Sequence, residues 1–144
     1  MQTDELDEAL ISLLAENARM PVATLARRLG LARTTVQARL DRLETGGVIR
    51  GYTVRLDTAR RAPLRATALV SIEARSQPTV LSRLKSLPNV RLVHTTSGRF
   101  DLIVSLEAET TEDLDDTLDR IGEAKGVRSS ESLIHLATKI DRQT

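Results

Sequence analysis

The sequence predicts an α+β protein in two parts, a helical N-terminal unit and a C-terminal unit in which strands and helices alternate. Three observations predict it. Between Val22 and Leu43, apolar residues recur at helical spacing on both sides of Gly30. From residue 64 onward, apolar positions two apart mark strands, with helical runs between them. Positive charge is crowded into the first part alone, with ten arginines against three acids over residues 19–61, a balance of +7.

Leu6, Leu10, Leu13 and Leu14 predict a first helix from about Asp4 to Ala18, whose acidic first turn suits the positive end of the helix dipole. Pro21 is expected in the first turn of a second helix, where its missing N–H does no harm. Val22, Leu25, Ala26 and Leu29 form its inner face, and Gly30 ends it. A third helix runs from about Arg33 to Glu44, with Val36, Leu40 and Leu43 inward and Gly46 or Gly47 as its left-handed cap. Two short helices around a turn with Gly form a helix-turn-helix. Ala26 lets the helices approach, and Val36 fills the space between them. Val48 to Leu56 is β-branched and broken by Gly51, which predicts a bent strand or small wing. These elements make a DNA-binding domain over residues 1–56, and the aperiodic, Pro-containing stretch 57–63 is the expected linker.

Residues 64–144 form the second domain. Ala66, Ala68, Val70 and Ile72 give a strand with one buried face. Ser76 and Pro78 open a helix with Val80, Leu81, Leu84 and Leu87 inward. Val90 to Ser97 is a second strand, and Gly98-Arg99 a tight connection. Phe100, Leu102, Val104 and Leu106 line a third strand. Thr110 or Thr111 caps a helix with Leu114, Leu118 and Ile121 inward, Gly126 ends it, and Val127 to Thr138 is the last strand. The order βαββαβ is ferredoxin-like. Its helices cover one sheet face, leaving Leu69, Val93, Ile103, Ile134 and Leu136 expected on the other, which points to two sheets packing face to face in a homodimer.

Composition narrows the classes. Tyr52 and Phe100 are the only aromatics, so the cores are aliphatic. Cysteine is absent, which excludes disulfides and thiolate metal sites. No apolar run approaches the roughly 20 residues of a membrane span, and no signal peptide is visible, so a cytoplasmic setting without membrane contact is expected. The crowded arginines are the electrostatic footprint of a nucleic-acid binder. The third helix turns Thr34, Ala38 and Asp41 outward, with Thr35, Gln37 and Arg42 beside them. Arg33, Thr34, Thr35, Gln37 and Arg39 are the candidate base-reading group, and Arg27, Arg28, Arg42 and Arg50 the candidate phosphate contacts on double-stranded DNA. For each arginine the alternative is a solvated side chain or an ion pair, and for Arg39 a pair with Glu44 or a loop acid.

The stretches LDEALISLLAENAR, LARRLGLARTTVQARLDRLETGGVIRGY, SGRFDLIVSL and GVRSSESLIHLATKID span the chain from Leu6 to Lys139 and beyond. Together they resemble the leucine-responsive regulator and asparagine-regulator (Lrp/AsnC) family. The specific signal is a helix-turn-helix running into LExxGVIxGY, followed by a ferredoxin-like domain with GxxD. The resemblance implies a sequence-specific transcriptional regulator that dimerises, with octamers as a higher assembly, and whose C-terminal domain senses an amino acid. It places the effector near Gly98 and Asp101. Ser97, Arg99, Ser130 and Ser132 complete the candidate effector set, since an amino acid needs a cation or N–H groups for its carboxylate and an acceptor for its ammonium. Gly98 and Asp101 are equally what a hairpin turn requires. The family usually has Ser where Ala32 stands, so a helix cap worth about 1 kcal/mol is missing and Thr34 or Thr35 would substitute as phosphate contact.

No cofactor is expected. His94 and His135 have no metal-ligand spacing, and the run Glu107 to Asp119, with seven acids and no base, reads as a solvated helix face. Two other functions compete. One is an architectural DNA-binding protein without an effector. The other is a tetrapyrrole decarboxylase of the same architecture, which would need basic and histidine groups converging on a macrocycle rather than a polar helix face.

Overall fold

The computed structural model describes residues 1–57, 60 and 63–142. The chain divides into two compact units, residues 1–55 together with Arg142, and residues 56–141. Of the linker expected over 57–63, residues 58, 59, 61 and 62 lie outside the described residues.

The first unit holds three helices: α1 (Glu5–Glu16), α2 (Val22–Leu29) and α3 (Arg33–Thr45). Leu10, Leu25, Val36 and Leu43 are almost wholly buried between them, with Leu14, Ala26 and Leu40 close behind. Each buried Leu or Val contributes roughly 1.5–3 kcal/mol, which binds three short helices that would not persist alone. Pro21 stands one residue earlier than expected, as the N-cap of α2, and its carbonyl accepts from the N–H groups of Thr24 and Leu25. Gly30 takes the left-handed conformation (φ 66°) that turns the chain into α3. At the end of α3, Gly46 stays right-handed and Gly47 (φ 75°) makes the turn.

The expected strand or wing over Val48 to Leu56 does not form: these residues are in no strand of the described structure. The N–H groups of Val48 and Ile49 both donate to the carbonyl of Leu43, and Ile49 packs on the helical core. β-Propensity describes fitness for a half-buried pleated surface, and no neighbouring strand within the unit supplies one.

The second unit contains β1 (Leu64–Ile72), α4 (Gln77–Lys85), β2 (Val90–Thr95), β3 (Leu102–Ala108), α5 (Thr111–Gly122) and β4 (Val127–Ile134). The four strands form one antiparallel sheet in the order β2-β3-β1-β4, the ferredoxin-like topology. Ala66, Ala68 and Val70 of β1 and Leu102, Val104 and Leu106 of β3 face the helices and pack under Val80, Leu84, Leu87, Leu114 and Ile121. Thr110 caps α5 by accepting the N–H of Asp113 at 3.1 Å. Helix α5 ends at Gly122, earlier than expected. Gly126 (φ 95°) instead makes the turn into β4, so close to Ser76 and Val80 that a Cβ there would overlap the Ser76 side chain.

Register decides the two faces. The open face carries Leu69 paired with Ile103, Thr67 with Ser105 and Leu133, and His94 with Ile103. Two residues expected there are elsewhere. Val93 pairs with buried Val104 and joins the core, because an irregularity between Val90 and Leu92 shifts the strand by one residue. Ile134 pairs with Ala66 and so lies on the helix side, while Leu133 takes the open face. Leu136 is beyond β4, which stops at Ile134 rather than Thr138, and is almost wholly exposed. A one-residue slip transfers a side chain to the opposite face, so such assignments depend on register.

Candidate nucleic-acid interface and effector loop

Helix α3 buries Val36, Leu40 and Leu43 and leaves Arg33, Thr34, Thr35, Gln37 and Ala38 exposed. A polar strip therefore runs along its solvent side. Among the described residues, Arg33, Arg27 and Arg50 have no carboxylate within 4 Å. Gln37 is held: its side-chain amide donates to Asp41 at 2.9 Å, one turn along. Arg28 lies 3.9 Å from Glu16, both side chains being largely exposed, a weak pair in solvent.

Arg39 is not a free reading group. Its guanidinium donates to both oxygens of Asp4 (2.7 and 2.8 Å) and to Asp7 (2.9 Å), and only 21% of its side chain is exposed. Arg42 donates to the other oxygen of Asp7 at 2.6 Å and remains half exposed. Asp7 itself is fully buried. Asp4 and Asp7 also cap α1 reciprocally, each accepting the backbone N–H of the other. The start of the first helix is thus ion-paired to the third. Of the two alternatives for Arg39, Glu44 or a loop acid, it is the second kind that is met, at Asp4 before α1, while Glu44 accepts the hydroxyl of Tyr52 at 2.7 Å. Asp4 and Asp7 lie more than thirty residues from the arginines, and no local pattern links them.

The Arg39 guanidinium and the Asp7 backbone N–H hold the Asp4 carboxyl down to about 2 from its ordinary 3.8. Between these values the folded unit binds fewer protons than the unfolded chain. The pair therefore supports folding above about pH 4, and that support is lost as pH falls through 2. Acid titration followed by hydrogen exchange is expected to loosen α1 in this window, and Asp4→Asn to remove that part of the pH dependence. Tyr52 is shifted upward, to about 12, by partial burial and by the Glu44 carboxylate beside it. Its contribution to stability is present below pH 10 and fades toward 12. Tyr52 is the sole tyrosine, so phenolate absorbance reads it alone. A midpoint near 12 is expected, moving back toward 10 in Glu44→Gln.

Ala32 occupies the N-cap of α3 and provides no side-chain bond. The first N–H groups of the helix stay open for an anion. Ala32→Ser is expected to raise the unit's stability by about 1 kcal/mol, measured as a shift in denaturant midpoint. No change would mean that these donors are already satisfied.

The loop after β2 is tightly made. Gly98 has φ 100°, Thr96 donates its hydroxyl to the carbonyl of Phe100, and the Asp101 N–H donates to the carbonyl of Val70. Asp101 Oδ2 accepts the N–H of Ile72 at 2.8 Å. Arg99 lies over the Phe100 ring at 4.8 Å and 3.8 Å from Glu131. Ser97, Gly98, Arg99 and Asp101 are thus brought together, all exposed. Ser130 and Ser132 are not brought to them. They pair with Val70 and Ala68 and so lie on the helix side, whereas Glu131, the residue that meets Arg99, is on the open face. On β4 the open face carries odd-numbered Glu131 and Leu133, the reverse of the parity expected from the sequence. His135 bonds Thr67 at 2.8 Å and His94 stands on β2. No metal-binding cluster is found among the described residues.

The AsnC-type helix-turn-helix domain matches residues 4–44. The Lrp/AsnC ligand-binding domain matches residues 65–144, more than half of the chain. The chain belongs to the Lrp/AsnC family. It is a helix-turn-helix transcriptional regulator. Among curated Lrp/AsnC relatives, the HTH-type transcriptional regulator FL11 of Pyrococcus horikoshii is 31% identical over 136 residues, covering 94% of this chain and 90% of the relative. The leucine response regulatory protein LrpA of Mycobacterium tuberculosis superposes with a TM-score of 0.80 at 30% identity, covering 99% of this chain and 98% of that one. A Neisseria meningitidis transcriptional regulator, solved as a complex with L-Met, has the same fold at a TM-score of 0.87 and 23% identity, covering 99% and 95%. No helix among the described residues is long and apolar enough to cross a membrane.

Proposed function

We propose that this Lrp/AsnC regulator reads duplex DNA through Arg33, Thr34, Thr35 and Gln37, and that Arg27, Arg28, Arg42 and Arg50 meet phosphates. The exposed polar strip of α3 on a rigid three-helix unit carries this reading. Arg33 reaches guanine and Gln37 adenine in the major groove, each worth about 1–3 kcal/mol of discrimination. Gel shift on the DNA upstream of the chain's own gene tests it. Salt-dependent binding that Arg33→Ala weakens is expected, and absence of binding to any genomic fragment would overturn it.

The C-terminal unit, in this reading, takes an amino acid at the loop Ser97–Asp101. Asp101 uses one carboxylate oxygen on Ile72 and has the other for an ammonium. The Gly98 N–H and Arg99 suit a carboxylate. The relative bound to L-Met supports this ligand class. Two copies pack through the open sheet face of Leu69, Leu92, Ile103 and Leu133, and the dimer works in the cytoplasm as a binding protein rather than an enzyme. Calorimetry with the twenty amino acids is expected to find a ligand that Asp101→Ala loses. Silence from all twenty would favour a ligand-blind architectural role. Sedimentation of the full chain checks the dimer and any octamer built from it.

A further inference from the structure

We propose that Asp7, buried and away from the polar strip, is the positioning residue of the DNA interface. Its carboxylate holds one terminal nitrogen of the Arg42 guanidinium and leaves the remaining donors to a backbone phosphate. The inference rests on the reading of α3 as the DNA-facing helix.

Four observations carry it. Asp7 is fully buried, yet both of its oxygens are committed: Oδ1 to Arg39, and Oδ2 to Arg42 and the N–H of Asp4. A buried carboxylate so bonded cannot swing, and it is rigid because the same pair of aspartates caps α1. Arg39 and Arg42 differ in exposure, 21% against 50% of their side chains. Arg39 Nη1 is shared between the two carboxylates of Asp4 and Asp7, whereas Arg42 makes a single bond, from Nη2 to Asp7. Thr34, Thr35, Ala38, Arg39 and Arg42 line one shallow groove on the polar side of α3. Guanidinium is planar, with donors on more than one edge, so it can serve a carboxylate and a phosphate at once, as a lysine ammonium cannot with the same geometry. Holding it in place removes side-chain entropy before DNA arrives.

The opposite view is that Asp7 merely cancels the charge of Arg42. The two views differ in sign. Full-length protein is titrated by anisotropy against a labelled mixed-sequence duplex of about 30 base pairs, at salt concentrations from about 50 to 200 mM. Arg42→Ala is expected to weaken binding about tenfold and to lower the salt slope by about 0.9, one phosphate contact. Arg42→Lys is expected to recover the slope but little of the affinity. Asp7→Asn raises the net charge toward DNA, and yet is expected to weaken binding, with Asp7→Asn/Arg42→Ala no weaker than Arg42→Ala alone. Tighter binding by Asp7→Asn, or full affinity in Arg42→Lys, overturns the proposal. Should Asp7→Asn fail to fold by circular dichroism, the Arg42 pair decides alone. If Arg33→Ala weakens binding while the Arg42 variants do not, this inference fails together with the phosphate role of Arg42, and α3 keeps its base-reading role. If none of them changes binding, the DNA-facing role of α3 fails with it.

Discussion

Asp7→Ala is expected to destabilise the N-terminal unit by about 3 kcal/mol. The substitution removes the shared partner of Arg39 and Arg42 and leaves two cations facing each other across the site. It also removes the N3 half of the α1 capping box. Breaking one member of a buried pair costs on the order of 3–5 kcal/mol. The lower end applies because Arg42 is half exposed and Arg39 keeps Asp4. A unit of residues 1–55 has little reserve, since small domains bury a smaller share of their surface. Hydrogen exchange resolved by peptide is the measurement. Protection should collapse across α1, α2 and α3 and stay unchanged in β1 to β4. Protection of α1 within about 0.5 kcal/mol of the parent would show that the ion pairs are idle.

Leu84→Ala should cost the C-terminal unit about 3 kcal/mol, within the roughly 2–5 kcal/mol range of buried Leu truncations. Leu84 is 1% exposed and belongs to the core cluster that α4 shares with the sheet and α5. A core built without Trp or buried aromatics depends on each Leu more than a mixed core does. The thermal midpoint is expected to fall by more than 10 °C, at about 4–8 °C per kcal/mol for a domain of this size. Leu84→Met, which keeps the volume, should cost under about 1.5 kcal/mol. Equal melting of the two variants would place Leu84 outside the core's energetics.

The two destabilisations differ in origin. Leu84 acts through shape and area, so its effect persists in high salt. Asp7 acts through charge in a site where both arginines still touch water, so part of its effect should fade as salt rises. Comparing the variants at low and high ionic strength therefore separates packing from ion pairing within one protein.

Much of this regulator was legible in its residues because the signals are local. Period-3.6 runs around Gly30 mark α2 and α3. Period-2 runs with Thr110, Gly98 and Gly126 between them mark the βαββαβ order, since side-chain periodicity and turn chemistry act within a few residues. The crowding of arginine between residues 19 and 61 was equally visible. Three things were decided only by tertiary structure. Arg39 is ion-paired to Asp4 and Asp7 because α1 meets α3, a meeting that chain spacing cannot foretell. The stretch after Gly47 stays out of a strand because its unit contains no strand to pair with. Ser130, Ser132, Val93 and Ile134 take the helix side of the sheet because pairing register, set between strands far apart in sequence, determines which parity of residues faces inward.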